Sequence, residues 1–277
     1  MLTFIHIRKT AGSTIDMILR QSFGMRHCRV RHGRKRAGQP VVAAREIQRC
    51  RWVYWGLQSV SGHGIVPHSD LETLGANIQY FTFLREPLRR CASDYQFRVN
   101  RGGLRQPFDQ WILTENARNQ HTKKICGMEH AESAIEILQQ RLGFVGLVEQ
   151  FDASLVMLRS WYQGRSLDIR YASKNVSSDS SLKNRLLTNP TSLAQLREAN
   201  AEDLKLYRYA CDHIFAKQLS DYGPSLQQDL RDFQQFNQPL PVLPRQLPSM
   251  LLREVVYKPL APLLRNRHNF THQKRAA

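Results

Sequence analysis

The strongest constraint on the fold is a repeated handover from a short β-prone run, through a loop carrying a basic residue, into a helix. LTFIHI (2–7) leads into RKTAGST and then a stretch with Ile15, Ile18 and Leu19 at helical spacing. QYFTFLR (79–85) leads into Glu86 and Pro87 and predicts a helix through about Asn100, because proline at the first helical position sacrifices no hydrogen bond. Further along, helices are expected at 105–116 and 131–142, a strand at 143–149, a helix at 150–163 and one long helix from Thr191 to about Leu219. An aromatic run, Trp52 to Leu57, reads as another strand leading into the loop SVSGHGIVPH. Strands alternating with helices predict an α/β fold, a parallel sheet covered on both faces.

Composition agrees with a globular chain that has its own core. The 277 residues are 42% hydrophobic and 23% charged, which excludes collagen, coiled coil and wholesale disorder. No run approaches the length of a membrane span, and the opening MLTFIHIRKT lacks the features of a signal peptide, so a soluble, cytoplasmic protein is expected. Five cysteines (28, 50, 91, 126 and 211) without a C-x-x-C pair argue against a disulfide framework or zinc, and read as small buried hydrophobes in a reducing compartment.

Charge is the unusual quantity. Forty Lys and Arg against 23 Asp and Glu give +17, and the excess is local. Residues 20–51 hold ten basic side chains against Glu46 alone, and 239–277 hold seven against Glu254. Such segments attract polyanionic glycan, nucleic acid or acidic membrane alike, so charge by itself does not choose among them. The first reads as a basic insertion at about 24–50. The second carries six of the twelve prolines and reads as a Pro-rich basic extension outside the core, a surface or partner-binding arm in preference to peripheral membrane attachment.

Open parallel sheets bind ligands beyond the carboxyl ends of their strands, where loops become helix N-termini. In Lys9-Thr10-Ala11-Gly12-Ser13-Thr14, small residues let backbone N–H groups approach an anion, Ser13 and Thr14 add hydroxyls and Lys9 adds charge. The order G-x-x-x-x-G-K-[ST] is absent, which disfavours ATP or GTP hydrolysis. Arg85 at a strand end and Ser93 two turns into the next helix are placed to converge on one phosphate. Each motif alone has a plain alternative: an ordinary capped turn for the first, and for the second an Arg85 that pairs with Glu86 or a neighbouring acid beside a Ser93 that merely packs.

Together the motifs have a precedent. HIRKTAGST resembles the 5'-phosphosulfate loop, and FTFLREPLRRCASDY the 3'-phosphate motif, of sulfotransferases that use 3'-phosphoadenosine 5'-phosphosulfate (PAPS), most closely the carbohydrate group that includes the heparan sulfate 2-O- and 6-O-sulfotransferases and their bacterial relatives. The resemblance continues through SGHG (61–64), NQHTKKICG (119–127), FVGLVEQFDASL (144–155) and LREANAEDLKLYRYA (196–210), and spans about residues 3–222. It implies a P-loop-NTPase-like three-layer domain over 1–238, with 239–277 outside it. It further implies that Lys9 to Thr14 hold the phosphosulfate, with Lys9 neutralising the bridging oxygen, and that Arg85 and Ser93 hold the 3'-phosphate. His63 would then be the general base, with His68 in the same loop its competitor and His6 a core or orienting residue. Lys174 and Ser177 correspond to a late loop near the nucleotide. Asn119, Gln120 and Thr122 would line the acceptor side, with bracing of the loops and ordinary helix-surface hydrogen bonding as the alternatives. Arg8 departs from the family, where proline is common.

The expectation is therefore PAPS-dependent O-sulfation of a carbohydrate hydroxyl, the glycan possibly anionic, leaving adenosine 3',5'-bisphosphate and requiring no metal. A small or lipid-linked alcohol as acceptor, a P-loop kinase and a non-enzymatic nucleic-acid binder are the alternatives. A Golgi enzyme lacking its anchor is the alternative for location.

Overall fold

A computed structural model describes residues 1–31, 41–75, 77–164, 167–171, 180–237 and 243–264. The first half contains β1 (Leu2–Ile5), α1 (Gly12–Phe23), β2 (His27–Arg29), α2 (Ala44–Cys50), β3 (Ser59–Gly62), β4 (Gln79–Leu84) and α3 (Pro87–Gly102). There follow α4 (Phe108–Trp111), α5 (Gln120–Cys126), α6 (Ala131–Arg141), β5 (Leu142–Leu147), α7 (Phe151–Trp161), α8 (Ser181–Thr188), α9 (Pro190–Ala199) and α10 (Ala201–Tyr209). A π turn, Ala210–Phe215, joins α10 to α11 (Ala216–Tyr222), and α12 (Leu226–Phe236) comes next. A second π turn, Leu252–Tyr257, joins α13 (Leu243–Leu251) to α14 (Lys258–Leu264).

The five strands form one all-parallel sheet in the order β2-β3-β1-β4-β5, flanked by helices, the three-layer α/β architecture that the alternation predicts. Strand β1 is central, and its four residues are all buried, as a strand covered on both faces requires. From β1 the chain turns to one side to build β2 and β3, then crosses to build β4 and β5 on the other. The loops after β1 and β4 leave neighbouring strand ends, the kind of switch point at which open parallel sheets bind ligands.

Five expectations are corrected. Trp52–Leu57 is not a strand: Trp52 and Trp55 are 78% and 92% exposed around a turn that buries only Tyr54 and Leu57. The strand is Ser59–Gly62, read from sequence as a loop because its serines look solvent-seeking; both are fully buried and their hydroxyls are engaged by His27 and Asp16. The basic stretch at about 24–50 is no excursion from the sheet, since it supplies edge strand β2 and helix α2, whose Ile47 and Cys50 are core residues; its residues 32–40 lie outside the described residues. The helix expected at 105–116 shrinks to α4, and the one at 191–219 is interrupted at Asn200 and widened by the π turn.

The C-terminal segment also differs from its reading as a non-core arm. Tyr257, Ala261 and Leu264 are buried in the same core cluster as the sheet. The Tyr257 ring meets that of Tyr54 edge-on at 5.3 Å, and its hydroxyl accepts the backbone N–H of Arg31. Four cysteines are buried and Cys211 partly so. Among the described residues no helix is long and apolar enough to cross a membrane.

Candidate functional site

The loop after β1 holds two non-glycine residues in the left-handed region, Lys9 (φ 65°) and Ala11 (φ 59°). Such residues are strained at a cost of order 1 kcal/mol and concentrate at ligand-binding turns. Thr10 is fully buried, and its hydroxyl donates to the Ile7 carbonyl at 3.1 Å, bracing the turn from beneath. Ser13 is exposed and Thr14 buried in the first turn of α1. Gly12 has to be glycine: a Cβ there would fall 1.9 Å from Nε2 of His6. The buried His6 ring stacks on Phe4, with centroids 5.4 Å apart, and meets the His63 ring at a tilt, with centroids 4.0 Å apart.

Helix α3 starts where it does because Pro87 is at its first position and the Glu86 carboxylate caps it, accepting from the N–H groups of Leu88 (3.1 Å) and Arg89 (2.7 Å). That use of Glu86 bears on the plain alternative for Arg85. Among the described residues Arg85 has no ion-pair partner, and instead its Nη1 donates to the Lys9 carbonyl at 3.2 Å. A second tie comes from Arg8, which reaches Oδ1 of Asp94 with Nε at 3.3 Å and Nη2 at 3.1 Å. Asp94 is almost wholly buried and adjoins the half-buried Ser93, so the turn of α3 that carries Ser93 lies against the loop that carries Thr10. Arg8, a departure by the family pattern, is thus a clamp between the two motifs. Lys9 rests its ammonium over the Phe97 ring of α3, 4.4 Å from the centroid, and it too has no ion-pair partner among the described residues.

Burial lowers the pKa of both Lys9 and Arg85; at Lys9 Asp94 opposes the shift while Arg85, Arg8 and Arg101 add to it, and at Arg85 Glu149 and Glu86 oppose it while Arg89 and Arg90 add to it. Arg8, Lys9, Arg85, Arg89, Arg90 and Arg101 outnumber Asp94, Glu86 and Glu149 around this junction, which leaves a local excess of positive charge. An anion would relieve it.

A third loop, after β3, contributes His63. Its Nδ1 lies 3.2 Å from the His6 carbonyl, which only accepts, so the proton is on Nδ1 and the lone pair on Nε2. Burial, with help from Lys124, drives its pKa down to about 4, which keeps the imidazole neutral at neutral pH. His68 stands apart: it is exposed, and its Nδ1 faces the Ile125 carbonyl at 3.1 Å at the end of α5.

Lys124 was not among the residues singled out from sequence. It is buried on α5, donates to the His63 carbonyl, and burial lowers its pKa to about 7. No local pattern announces it, because its partner is a backbone atom 61 residues away. Asp94 had a faint signal in its i,i+4 spacing to Arg98, with which it pairs at 2.9 Å.

The acceptor-side candidates make mostly local hydrogen bonds around the start of α5. Asn119 donates to Glu129 and accepts from the Asp203 N–H, the Thr122 hydroxyl donates to the Asn119 carbonyl, and the Gln120 amide donates to the carbonyls of Glu115 and Arg118. Lys174 and Ser177 lie outside the described residues. Among the described residues no group of three or more His, Cys, Asp or Glu is disposed to hold a metal ion.

No family model matches the chain. An uncharacterized protein of Archaeoglobus fulgidus is 24% identical over 248 residues, an alignment that takes in 76% of this chain and 96% of the relative. Likeness at that level carries neither a family nor an activity to this chain.

Proposed function

We propose that the chain is a sulfotransferase that moves the sulfuryl group of PAPS to a hydroxyl of a carbohydrate acceptor. The observation that carries the reading is the junction of two motifs 76 residues apart, Arg85 to the Lys9 carbonyl, at which neither cation has an acidic partner among the described residues. The sequence resemblance suggests the donor, and the gathering of cations at this junction supports the reading.

PAPS carries a phosphosulfate at one end and a 3'-phosphate at the other. The strained loop Lys9–Thr14 fits the first, through the backbone N–H groups of its turn and the exposed Ser13 hydroxyl. Arg85 and Ser93 fit the second. In the transfer the acceptor oxygen bonds to sulfur, the sulfur–oxygen bridge to the 5'-phosphate breaks, and the hydroxyl proton goes to a base. His63 is set up for that task, neutral with its lone pair on Nε2, and a polyanion arriving beside it would raise its basicity toward the working pH. Negative charge left on the bridging oxygen falls to Lys9, whose side chain leaves Phe97 to meet it. The reaction asks mainly for alignment and charge stabilisation.

The test is a transfer assay with radiolabelled PAPS against glycans and small alcohols, run beside calorimetry with adenosine 3',5'-bisphosphate. Sulfated glycan and metal-independent nucleotide binding are expected, and His63→Ala should abolish turnover with binding retained while His68→Ala stays active. Binding of ATP only with magnesium would favour a kinase. Steeply salt-dependent nucleic-acid binding that survives Lys9→Ala and Arg85→Ala would favour a nucleic-acid binder.

A further inference from the structure

We propose that a second face of the molecule, remote from the candidate site, docks on an anionic lipid surface. It is built from the turn between α2 and β3 together with the C-terminal helical segment α13–α14. The turn presents Trp52 and Trp55 almost entirely to solvent on either side of the buried Tyr54. Tyr257 of the C-terminal segment packs on Tyr54, and α13 packs against Gly24–Arg26, where Met25 is exposed. Gly56 of the turn lies beside Arg26, so these pieces share one neighbourhood.

Along the C-terminal segment the apolar exposure continues at one-turn spacing. Leu247, Leu251 and Val255 are all exposed, and Leu263 extends the row. The inner residues Tyr257, Ala261 and Leu264 are spent on the core, which leaves an amphipathic element with an uncovered apolar side.

Charge and shape select the occupant. Arg26, Arg31 and Arg45 are exposed, and Arg49 and Arg51 partly so, all on or next to these elements. The acids nearby are engaged: Glu254 by Arg253 and Lys258, and Glu46 by the α2 N-terminus, where it accepts the Ala43 N–H. An apolar surface rimmed by arginines, Arg26, Arg31, Arg45 and Arg51 among them, complements a negatively charged bilayer. Two indoles projecting from a tight turn make a convex feature, suited to shallow insertion at the headgroup level, where tryptophan is favoured. With Met25 and the turn at the amino ends of β2 and β3, and the candidate site at the carboxyl ends, a docked molecule would keep that site toward water. The inference does not depend on the proposed transfer reaction.

The experiment is flotation of the full chain with phosphatidylcholine vesicles, with and without phosphatidylglycerol, at low and high salt. Partition onto the phosphatidylglycerol vesicles, weakened by salt, is expected, with quenching of tryptophan fluorescence by bromine placed on the upper acyl chain. The double variant Trp52→Ser, Trp55→Ser should lose roughly tenfold in partition while keeping its circular dichroism and melting temperature. Leu251→Asp with Val255→Asp on the helical arm should weaken it independently. Failure of the wild-type chain to bind anionic vesicles at low salt would overturn the proposal. So would undiminished binding by both double variants, or a stable dimer in light scattering that the tryptophan substitutions dissociate.

Discussion

Arg85 Nη1 donates to the carbonyl oxygen of Lys9 across 3.2 Å, joining the end of β4 to the turn that follows β1. The bond uses one of five guanidinium N–H groups and leaves the charge without a carboxylate partner among the described residues. Replacement by alanine should weaken binding of adenosine 3',5'-bisphosphate about 10- to 100-fold, the scale of a charge-assisted contact of about 1.5–3 kcal/mol. Lysine should restore only part, because it has charge without the fork. Unchanged affinity in the alanine variant, measured by calorimetry, would remove Arg85 from the proposed nucleotide site.

Gly12→Ala tests the coupling between the anion loop and the candidate base. The added methyl meets a buried imidazole in contact with Phe4 and His63, so His6 has to shift and His63 with it. Overpacking of this kind costs about 1–3 kcal/mol, read as a lower denaturation midpoint. Turnover should fall further than that loss of stability explains at temperatures where the variant is folded. A variant as stable and active as the parent would refute the stacking arrangement.

Lys124 predicts a pH dependence with a definite sign. Its folded pKa is depressed to about 7, whereas an unfolded lysine titrates at about 10.4. Between those values the unfolded chain binds the proton more readily, so this group makes the fold more stable as pH rises through that window and least stable below it. Lys124→Met lacks the titration, and denaturation midpoints of the two proteins should converge or cross as pH rises from 7 to 10. If Lys124 also positions the His63 loop, the variant should lose kcat at pH 7 with KM for PAPS little changed. Parallel stability curves would show that this lysine is not buried as described.

Histidines predict the opposite end of the scale. His121 is fully buried, with its Nδ1 3.7 Å from Asp203, beyond hydrogen-bonding distance, and burial lowers its pKa to about 4; His63 is lowered to about the same value. Both are neutral in the fold and titrate near 6.5 when unfolded, so stability is intact above pH 6.5 and is lost as pH falls toward 4. Each contributes a loss on the order of 3 kcal/mol across that interval. His121→Leu should flatten the acid limb of a melting-temperature profile between pH 6.5 and 4, and an unaltered limb would contradict the assignment.

Part of this molecule is readable without coordinates. β1, β4 and β5 are contiguous apolar runs that end in loops with a recognisable opening to a helix, and Pro87 behind Glu86 marks the start of α3 on local grounds alone. β3 is different. Its serines look like loop residues until His27 and Asp16, far away in the chain, satisfy their hydroxyls. The aromatic run before it looks like a strand, yet only Tyr54 and Leu57 find cover, and Trp52 and Trp55 are left outside.

Residues adjacent in the chain suffice to place the β1–α1 and β4–α3 junctions and the cations that stand at them. Tertiary structure alone decided that Lys9 meets Arg85, that Arg8 clamps Asp94, that Lys124 holds the His63 carbonyl and that Tyr257 belongs to the core. Propensity is set by neighbours along the backbone, whereas burial, and with it the cost of a charge or an unsatisfied hydroxyl, is set by neighbours in space.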